Sequence, residues 1–544
     1  MIRFLPAFLA AVTVAAGQGL WERRADFPIE ATEVSAAAID GKIYAVCGLT
    51  ARGSVSSLYI YDPRLDAWSE GAPAPIAGGA DHCNVAAAGG KLYLVGAIRI
   101  GSSFIDGNTH EYDPAVNRWQ TVGRMNVPRG ASGVAAIGSR IFVAGGLTAG
   151  GSVADFEVFD TLTRQWTRLP NMPTARDHLT AQGAGGKVYA IAGRAGQEFT
   201  ANEEYDPSAN TWTTRAPIPT RRGGLGSGTI AGRIQVFGGE GASGTPEGTY
   251  RQNEEYDPVT DTWRSLASMP TPRHGLYGAT LEDRLFAPSG GPRAGGFFSN
   301  VHEAFYLPPA ESPRIEPGGA RHAASFSETL AAGTLVSLFG ARFSFGEQIA
   351  ARFPLPSQMN AVEVRVNGMN MPLIFTAPNQ INFHLPYQLA SGRAAITVRN
   401  AGSESAPIEV TLSDSAPGVF SMAATGQGQG AVLISGTALL AGAGGRAGRR
   451  GETVEIYCTG LGRVANPPVP GQPAVGVVRT IETPVVSIGG ALGDVLFSGL
   501  APGLAGVYQV NARVPLQAAV GPAVALTLSL GTRLSNTVTM AVAE

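Results

Sequence analysis

A chain of 544 residues exceeds the size at which a single hydrophobic core keeps growing, so more than one domain is expected. Charged residues make up only 15% and the formal net charge is −2, which leaves no electrostatic case for nucleic acid or an anionic membrane surface as a partner. The 72 glycines and 37 prolines, beside 44% hydrophobic residues, indicate many short strands joined by tight turns rather than disorder.

The chain begins Met1-Ile2-Arg3, continues as an apolar run from Phe4 to Ala16, and closes that run on Val14, Ala15, Ala16 and Gly17. A positive start, a short apolar stretch and small residues at its end predict a cleavable signal peptide over residues 1–17. The protein is therefore expected to be secreted: extracellular, periplasmic or attached to the cell surface. The apolar run is too short for a stable membrane anchor, and no membrane span is expected elsewhere. The three cysteines, Cys47, Cys83 and Cys458, do not make a disulfide framework. Cys47 and Cys83 lie in strand-like runs, as a bridged pair or as small buried thiols. There is no CxxC and no Cys/His spacing suited to zinc.

Tryptophans stand at positions 21, 68, 119, 166, 212 and 263, about fifty residues apart. Each one after the first follows an aromatic by seven residues: Tyr61-Asp62-Pro63, Tyr112-Asp113-Pro114, Phe159-Asp160, Tyr205-Asp206-Pro207 and Tyr256-Asp257-Pro258. The Asp or Asp-Pro step ends a strand and starts a turn. A basic residue opens the next hydrophobic strand after a tight turn, at Lys42, Lys91, Arg140, Lys187, Arg233 and Arg284. Those strands run into glycine at Gly145-Gly146, Gly238-Gly239 and Gly290-Gly291, with weaker versions at Cys47-Gly48, Gly96-Ala97 and Gly193-Arg194. Diglycine, aromatic and tryptophan at this spacing resemble the Kelch repeat. The resemblance implies a six-bladed β-propeller over residues 18–308. Blade 6, from Arg273 to Tyr306, reads as holding all its strands locally and lacking only a tryptophan. Trp21 is expected to fill that slot, at the junction of blades 6 and 1.

Residues 309–322, rich in proline and glycine, read as a linker. Beyond them a different repeat takes over. Val362 to Gly368 parallels Pro484 to Gly490, and Gln380-Ile381-Asn382 parallels Gln509-Val510-Asn511. Alternating apolar and polar runs predict two immunoglobulin-like β-sandwich lobes, over residues 323–415 and 416–544. Ala332 to Gly340, Ala416 to Phe420, Thr459 to Gly462 and Tyr508 to Asn511 together resemble a C-terminal module of exported acidobacterial proteins. That resemblance implies export and no particular activity. The recurring Gln and Asn residues are read as structural.

Propellers bind ligands at the mouth of the central channel. One repeat column there holds Ala31, Ala80, Arg129, Arg176, Arg222 and Arg273; the next hold Asp81, Asp177 and His274, then Glu33, His82 and His178. By resemblance to Kelch propellers that bind acidic peptides, the four arginines would ring the mouth and grip carboxylates or hydroxyls. The competing reading pairs each arginine with a carboxylate or carbonyl of an adjacent blade. The candidate ligand-binding set is Arg129, Arg176, Arg222, Arg273, Asp81, His82, Asp177, His178 and His274. His82 and His178 belong to blades 2 and 4, which are not neighbours, and no third ligand is evident. No metal and no cofactor are therefore expected.

Two enzyme resemblances bear on function. Galactose oxidase joins a Kelch propeller to an immunoglobulin-like domain, but its copper ligands have no counterpart here: there is no Tyr-His step and no suitable cysteine. Sialic acid mutarotases are exported six-bladed Kelch proteins that need only polar acid–base groups at the mouth. Glu33, Asp81, His82, Asp177, His178, Glu240 and the arginines offer such groups. The sequence thus reads as an exported binding scaffold for a protein or glycan ligand, either a glycan or an acidic peptide. A mutarotase-type carbohydrate enzyme is the alternative, and a copper oxidase stands behind both.

Overall fold

The computed structural model describes residues 18–241 and 244–544; the expected signal peptide lies outside them. All regular structure among the described residues is β, with no helix long and apolar enough to cross a membrane. The chain divides into two compact units, one ending at Pro308 and the other starting at Pro309.

The first unit is a propeller of six four-stranded antiparallel sheets. Blade 1 runs outward through Ser35–Ile39, Lys42–Val46, Leu58–Asp62 and Ala67–Gly71. The inner strands of the other blades are Val85–Ala88, Gly133–Ile137, Thr180–Ala184, Gly226–Ile230 and Ala279–Leu281. Each packs on the next, and the last returns to the first, closing the ring. Their small residues (Ala36, Ala86, Gly133, Ala181, Ser227, Ala279) let six strands converge around a cavity of about 300 Å³.

The repeated residues explain the blade. Asp62, Asp113, Asp160, Asp206 and Asp257 each accept the N–H two residues on, which fixes the turn after the third strand. The tryptophan seven residues after the aromatic then falls directly opposite it: Tyr61 faces Trp68, Tyr112 faces Trp119 and Tyr256 faces Trp263. Most of these indoles donate to a carbonyl just past the preceding blade, as Trp119 does to Ala72 and Trp263 to Ala216. The diglycine is a site of close approach. A β-carbon on Gly238 would lie 2.5 Å from Arg273 O, and one on Gly239 would lie 2.9 Å from Gly223 O.

Ring closure differs from the expectation. Blade 6 holds only three local strands, Ala279–Leu281, Arg284–Pro288 and His302–Tyr306. Its outer strand is Leu20–Arg23 from the other end of the chain, paired so that Trp21 faces Phe305 and not Tyr306. Trp21 packs between blades 5 and 6, against Phe237 and Phe305, with its indole donating to Ala267 O. The 6–1 junction is made instead by Arg24, whose Nε donates to Tyr61 Oη, and by Ala25 N, which donates to Asp66. Cys47 and Cys83 are buried free thiols within one apolar cluster.

The second unit contains two lobes, each a pair of sheets around its own core. Their strand orders correspond: Leu330–Ala331 runs parallel to the end of Ile408–Ser413, as Gly448–Arg449 does to the end of Val538–Ala543. Gln380 donates to Asn382, and Gln509 to Asn511, so these polar residues satisfy one another rather than backbone groups. The linker reading is corrected. Arg314–His322 is an edge strand of the first lobe, with Ile315 and Ala320 in its core. Pro317-Gly318-Gly319 falls where the register shifts between Ile315 and Ala320, which is where an edge strand tolerates proline.

Two buried histidines make this unit acid-sensitive. Burial pushes His322 down to about 4 and His384, with neither ring nitrogen hydrogen-bonded, down to about 3. Both lie below the ordinary 6.5, so the unfolded chain takes up protons first as pH falls. Their stabilisation is complete above about pH 6.5 and is lost on acidification at up to about 1.4 kcal/mol per pH unit for each group. The melting temperature of this unit should therefore drop between about pH 6.5 and 4, and His384→Phe should flatten the drop. An unchanged slope in that variant would contradict the assignment.

Candidate functional site

The four arginines are not a ligand-binding ring. Arg129, Arg176, Arg222 and Arg273 are each 0% exposed. Each reaches into its own blade and pairs with a glutamate of the third strand: Glu157 at 2.6 Å, Glu203 at 2.6 Å, Glu254 at 2.7 Å and Glu303 at 2.8 Å. Their remaining N–H groups bond carbonyls at the strand ends, as Arg129 Nη2 does to Val143 O and Arg176 Nη2 to Ala190 O. Burial lowers the pKa of all four, and the glutamates offset part of that shift. They are scaffold, and the partner carboxylate comes from the same blade rather than an adjacent one.

Two residues further on, the chain passes the channel mouth. Glu33, His82, Ala131, His178, Gly224 and Gly275 occupy this position in blades 1 to 6, all left-handed, with φ of 55°, 47°, 51°, 49°, 60° and 58°. Backbone hydrogen bonds run from one to the next around the mouth: Ala131 N donates to His82 O, His178 N to Ala131 O, Gly224 N to His178 O, Gly275 N to Gly224 O and Glu33 N to Gly275 O. Glycine suits such a position, and a residue with a β-carbon there costs about 1–2 kcal/mol. Blades 1 to 4 bear that cost, and blades 1, 2 and 4 place Glu, His and His there.

The long loops between second and third strands close over this ring through bridges such as Asp81 to Ile98, Asp177 to Arg194, Gly223 to Glu240 and His274 to Gly291. Asp81 Oδ1 lies 2.5 Å from His82 Nδ1, and Ser54 donates to Asp81 Oδ2. The arrangement recurs in blade 4, where His178 Nδ1 meets Asp177 and Ser152 donates to it. The two imidazoles touch edge to face, with ring centroids 4.8 Å apart. Glu33 Oε2 is 3.4 Å from His82 Nε2, and Glu33 Oε1 is 3.9 Å from His274 Nδ1. Glu240 lies 3.5 Å from His274 and is ion-paired with Arg194, whose side chain is about one-third exposed.

The structure thus assembles Asp81, His82, Asp177, His178 and His274 from the expected set and removes the arginines. It brings in Glu33 and Glu240, which the sequence offered only as mutarotase-type groups, and adds Arg194. Blades 2 and 4 are not adjacent, yet the ring is narrow enough for their side chains to meet, and Glu33 of blade 1 is the third potential metal donor missing from the sequence reading. A sequence signal existed: Gly48-Leu49-Thr50-Ala51 to Gly53-Ser54-Val55 recurs as Gly146-Leu147-Thr148-Ala149 to Gly151-Ser152-Val153, each ahead of an Asp-His step.

The electrostatics separate the two histidines. Burial lowers His82, but Glu33 and Asp81 outweigh it, so His82 is raised and holds a proton more readily. For His178 burial wins over Asp177, with His82 and Arg194 adding to the lowering, so it favours the neutral form. Burial raises Asp81 and Asp177, but hydrogen bonds and charge from their histidines overcome it and leave both carboxyls below the ordinary range.

This blade architecture is that of a Kelch-repeat β-propeller. The Kelch motif matches residues 31–75, and the KLHDC2/KLHL20/DRC7 Kelch-repeats domain matches residues 81–291. The chain is similar to Kelch-like protein terF of Aspergillus terreus, at 29% identity over 50% of this chain and 61% of that protein. It is also similar to human Kelch-like protein 34, at 30% identity over 40% of this chain and 35% of the other. The chain therefore spans less than two-thirds of these relatives. A solved structure, that of YjhT, aligns with 51% of this chain and 95% of its own at 18% identity and a TM-score of 0.45.

Proposed function

We propose that the protein is an exported binding scaffold that holds a hydroxyl-rich ligand, such as a glycan of the cell envelope, at the channel mouth. One observation carries this reading: Glu33, Asp81, His82, Asp177, His178, Arg194, Glu240 and His274 converge from different blades in one polar cluster, buried except at Arg194. Convergent donors and acceptors in a concave site fix a polar ligand's orientation. The acidic-peptide reading depended on arginines whose charge is taken up by glutamates of their own blades, whereas four of the eight groups in this cluster are carboxylates. The Kelch-repeat fold supports an interaction scaffold in general, and a glycoprotein would satisfy both features. On glycan and peptide arrays the full-length protein should select glycans. Arg194→Ala should weaken the strongest hit by about tenfold or more, the worth of one charge-assisted hydrogen bond. Selection of acidic peptides alone, indifferent to Arg194, would overturn the proposal.

The opposed shifts of His82 and His178 favour a second reading, acid–base carbohydrate chemistry of the mutarotase type, because one imidazole holds a proton more readily than its neighbour. NMR of sialic acid anomer exchange tests it: acceleration by the protein should fall about 10²–10⁴-fold in His178→Ala. No acceleration by the unaltered protein would rule it out.

A further inference from the structure

We propose that Glu33, His82 and His178 form a three-ligand site for a divalent transition-metal ion, with zinc the cation best suited to it. The idea goes beyond the ligand reading and does not depend on it.

Two imidazoles and one carboxylate are a donor set that Zn²⁺ and its first-row neighbours accept, leaving a position for water or ligand. The three donor atoms all lie within 4.8 Å of one another. Glu33 Oε2 and His82 Nε2, 3.4 Å apart, already match the spacing of two ligands on one ion, since tetrahedral bonds of about 2.1 Å place donors about 3.4 Å apart.

The surroundings are those of a metal site rather than of a chance cluster. Each histidine gives its Nδ1 to an aspartate, Asp81 or Asp177, which leaves Nε2 as the donor and fixes the ring. Carboxylate–imidazole–metal relays of this kind orient the ligand and raise its basicity. Each aspartate is itself held by a serine from the preceding blade's loop, Ser54 or Ser152. The left-handed backbone is retained with a side chain at these three donors and, in the other blades, only at Ala131. Room for the carboxylate is provided by Gly275, where a β-carbon would sit 2.5 Å from Glu33 Oε1.

One observation demands a partner. Glu33 is buried, its side chain only 6% exposed, and its Oε2 has no hydrogen bond. A buried carboxylate oxygen without a hydrogen bond, its nearest partner the His82 imidazole 3.4 Å away, is poorly compensated, and a cation among Glu33 and the two Nε2 atoms removes that cost. Both ring nitrogens of His274 are likewise buried without a hydrogen bond beside the same carboxylate.

The test uses tag-free full-length protein, stripped with a chelator and titrated with Zn²⁺ by calorimetry, with Co²⁺ absorption as a second readout. One equivalent should bind. His82→Ala, His178→Ala and Glu33→Gln should each weaken binding by about 100-fold or more, and Asp177→Asn by about 10–100-fold. The histidine variants should fold, because Ala131 already occupies the equivalent left-handed position in blade 3. Should any variant lose its thermal transition, the tetrahedral Co²⁺ bands of the unaltered protein, weakened in Asp177→Asn, decide the matter. Failure of the unaltered protein to bind one equivalent, or full-strength binding in a Glu33→Gln/His178→Ala double variant, overturns the site.

Discussion

Replacing Arg176 with alanine is expected to destabilise the propeller by about 3–5 kcal/mol, the cost of leaving one member of a buried ion pair without its partner. The guanidinium bonds Glu203 Oε2 at 2.6 Å, Ala192 O at 2.7 Å, Thr174 O at 2.9 Å and Ala190 O at 2.9 Å. Its loss strands a carboxylate that is 3% exposed, with Thr174 Oγ1 as its remaining side-chain partner, and leaves three carbonyls short of a donor. Arg129→Ala and Arg273→Ala should behave alike. The double change Arg176→Met with Glu203→Leu should recover much of the loss, because it removes both charges together. Chemical denaturation followed by tryptophan fluorescence reads the effect. A loss below about 1 kcal/mol, the size of an ordinary surface change, would mean the arginine is not a strut.

Trp21→Ala should cost a similar amount, about 3–5 kcal/mol for a buried tryptophan. Trp21 is 8% exposed, sits 5.1 Å from Phe305 and 5.5 Å from Phe237, and donates to Ala267 O at 2.7 Å. It also anchors the strand by which the N-terminal segment completes blade 6, so local loss propagates into ring closure. Trp166, half-buried in blade 3 and bonded to Thr109 Oγ1, should cost less on the same change. If Trp166→Ala proves the more damaging, the closure described here is wrong.

The blades were legible because tryptophan, aromatic and Asp-Pro recur on a fixed spacing, and the spacing is set by hydrogen-bonded turns within each blade. Closure was less legible. Phe305 and Tyr306 are both aromatic, and only the strand register reveals that Phe305 faces the tryptophan. The segment Arg314 to His322 looked like a linker because Pro317-Gly318-Gly319 dominates its composition, while Ile315 and Ala320, which pack in the core, are too few to show a strand pattern.

The site was legible by column but not by role. The arginine column looked functional because charge at a channel mouth usually is. The contrary sign was within the chain: the four blades with the arginine are those with a glutamate two residues before the blade aromatic, at Glu157, Glu203, Glu254 and Glu303. Blades 1 and 2 have Ala31 and Ala80 in the arginine column and Tyr59 and His110 in the other. The meeting of His82, His178 and Glu33 is a property of ring diameter, which no linear spacing expresses.

Function, as proposed, resides in the Glu33–His82–His178 cluster and not in the arginine column. The most direct measurement is the affinity of the His82→Ala/His178→Ala double variant for the strongest array ligand, by calorimetry, alongside its melting temperature. An affinity loss of about tenfold or more is expected from two lost hydrogen bonds, in a double variant that still unfolds cooperatively but melts lower, because Asp81 and Asp177 lose their imidazole partners. Unaltered affinity in a folded double variant would contradict it.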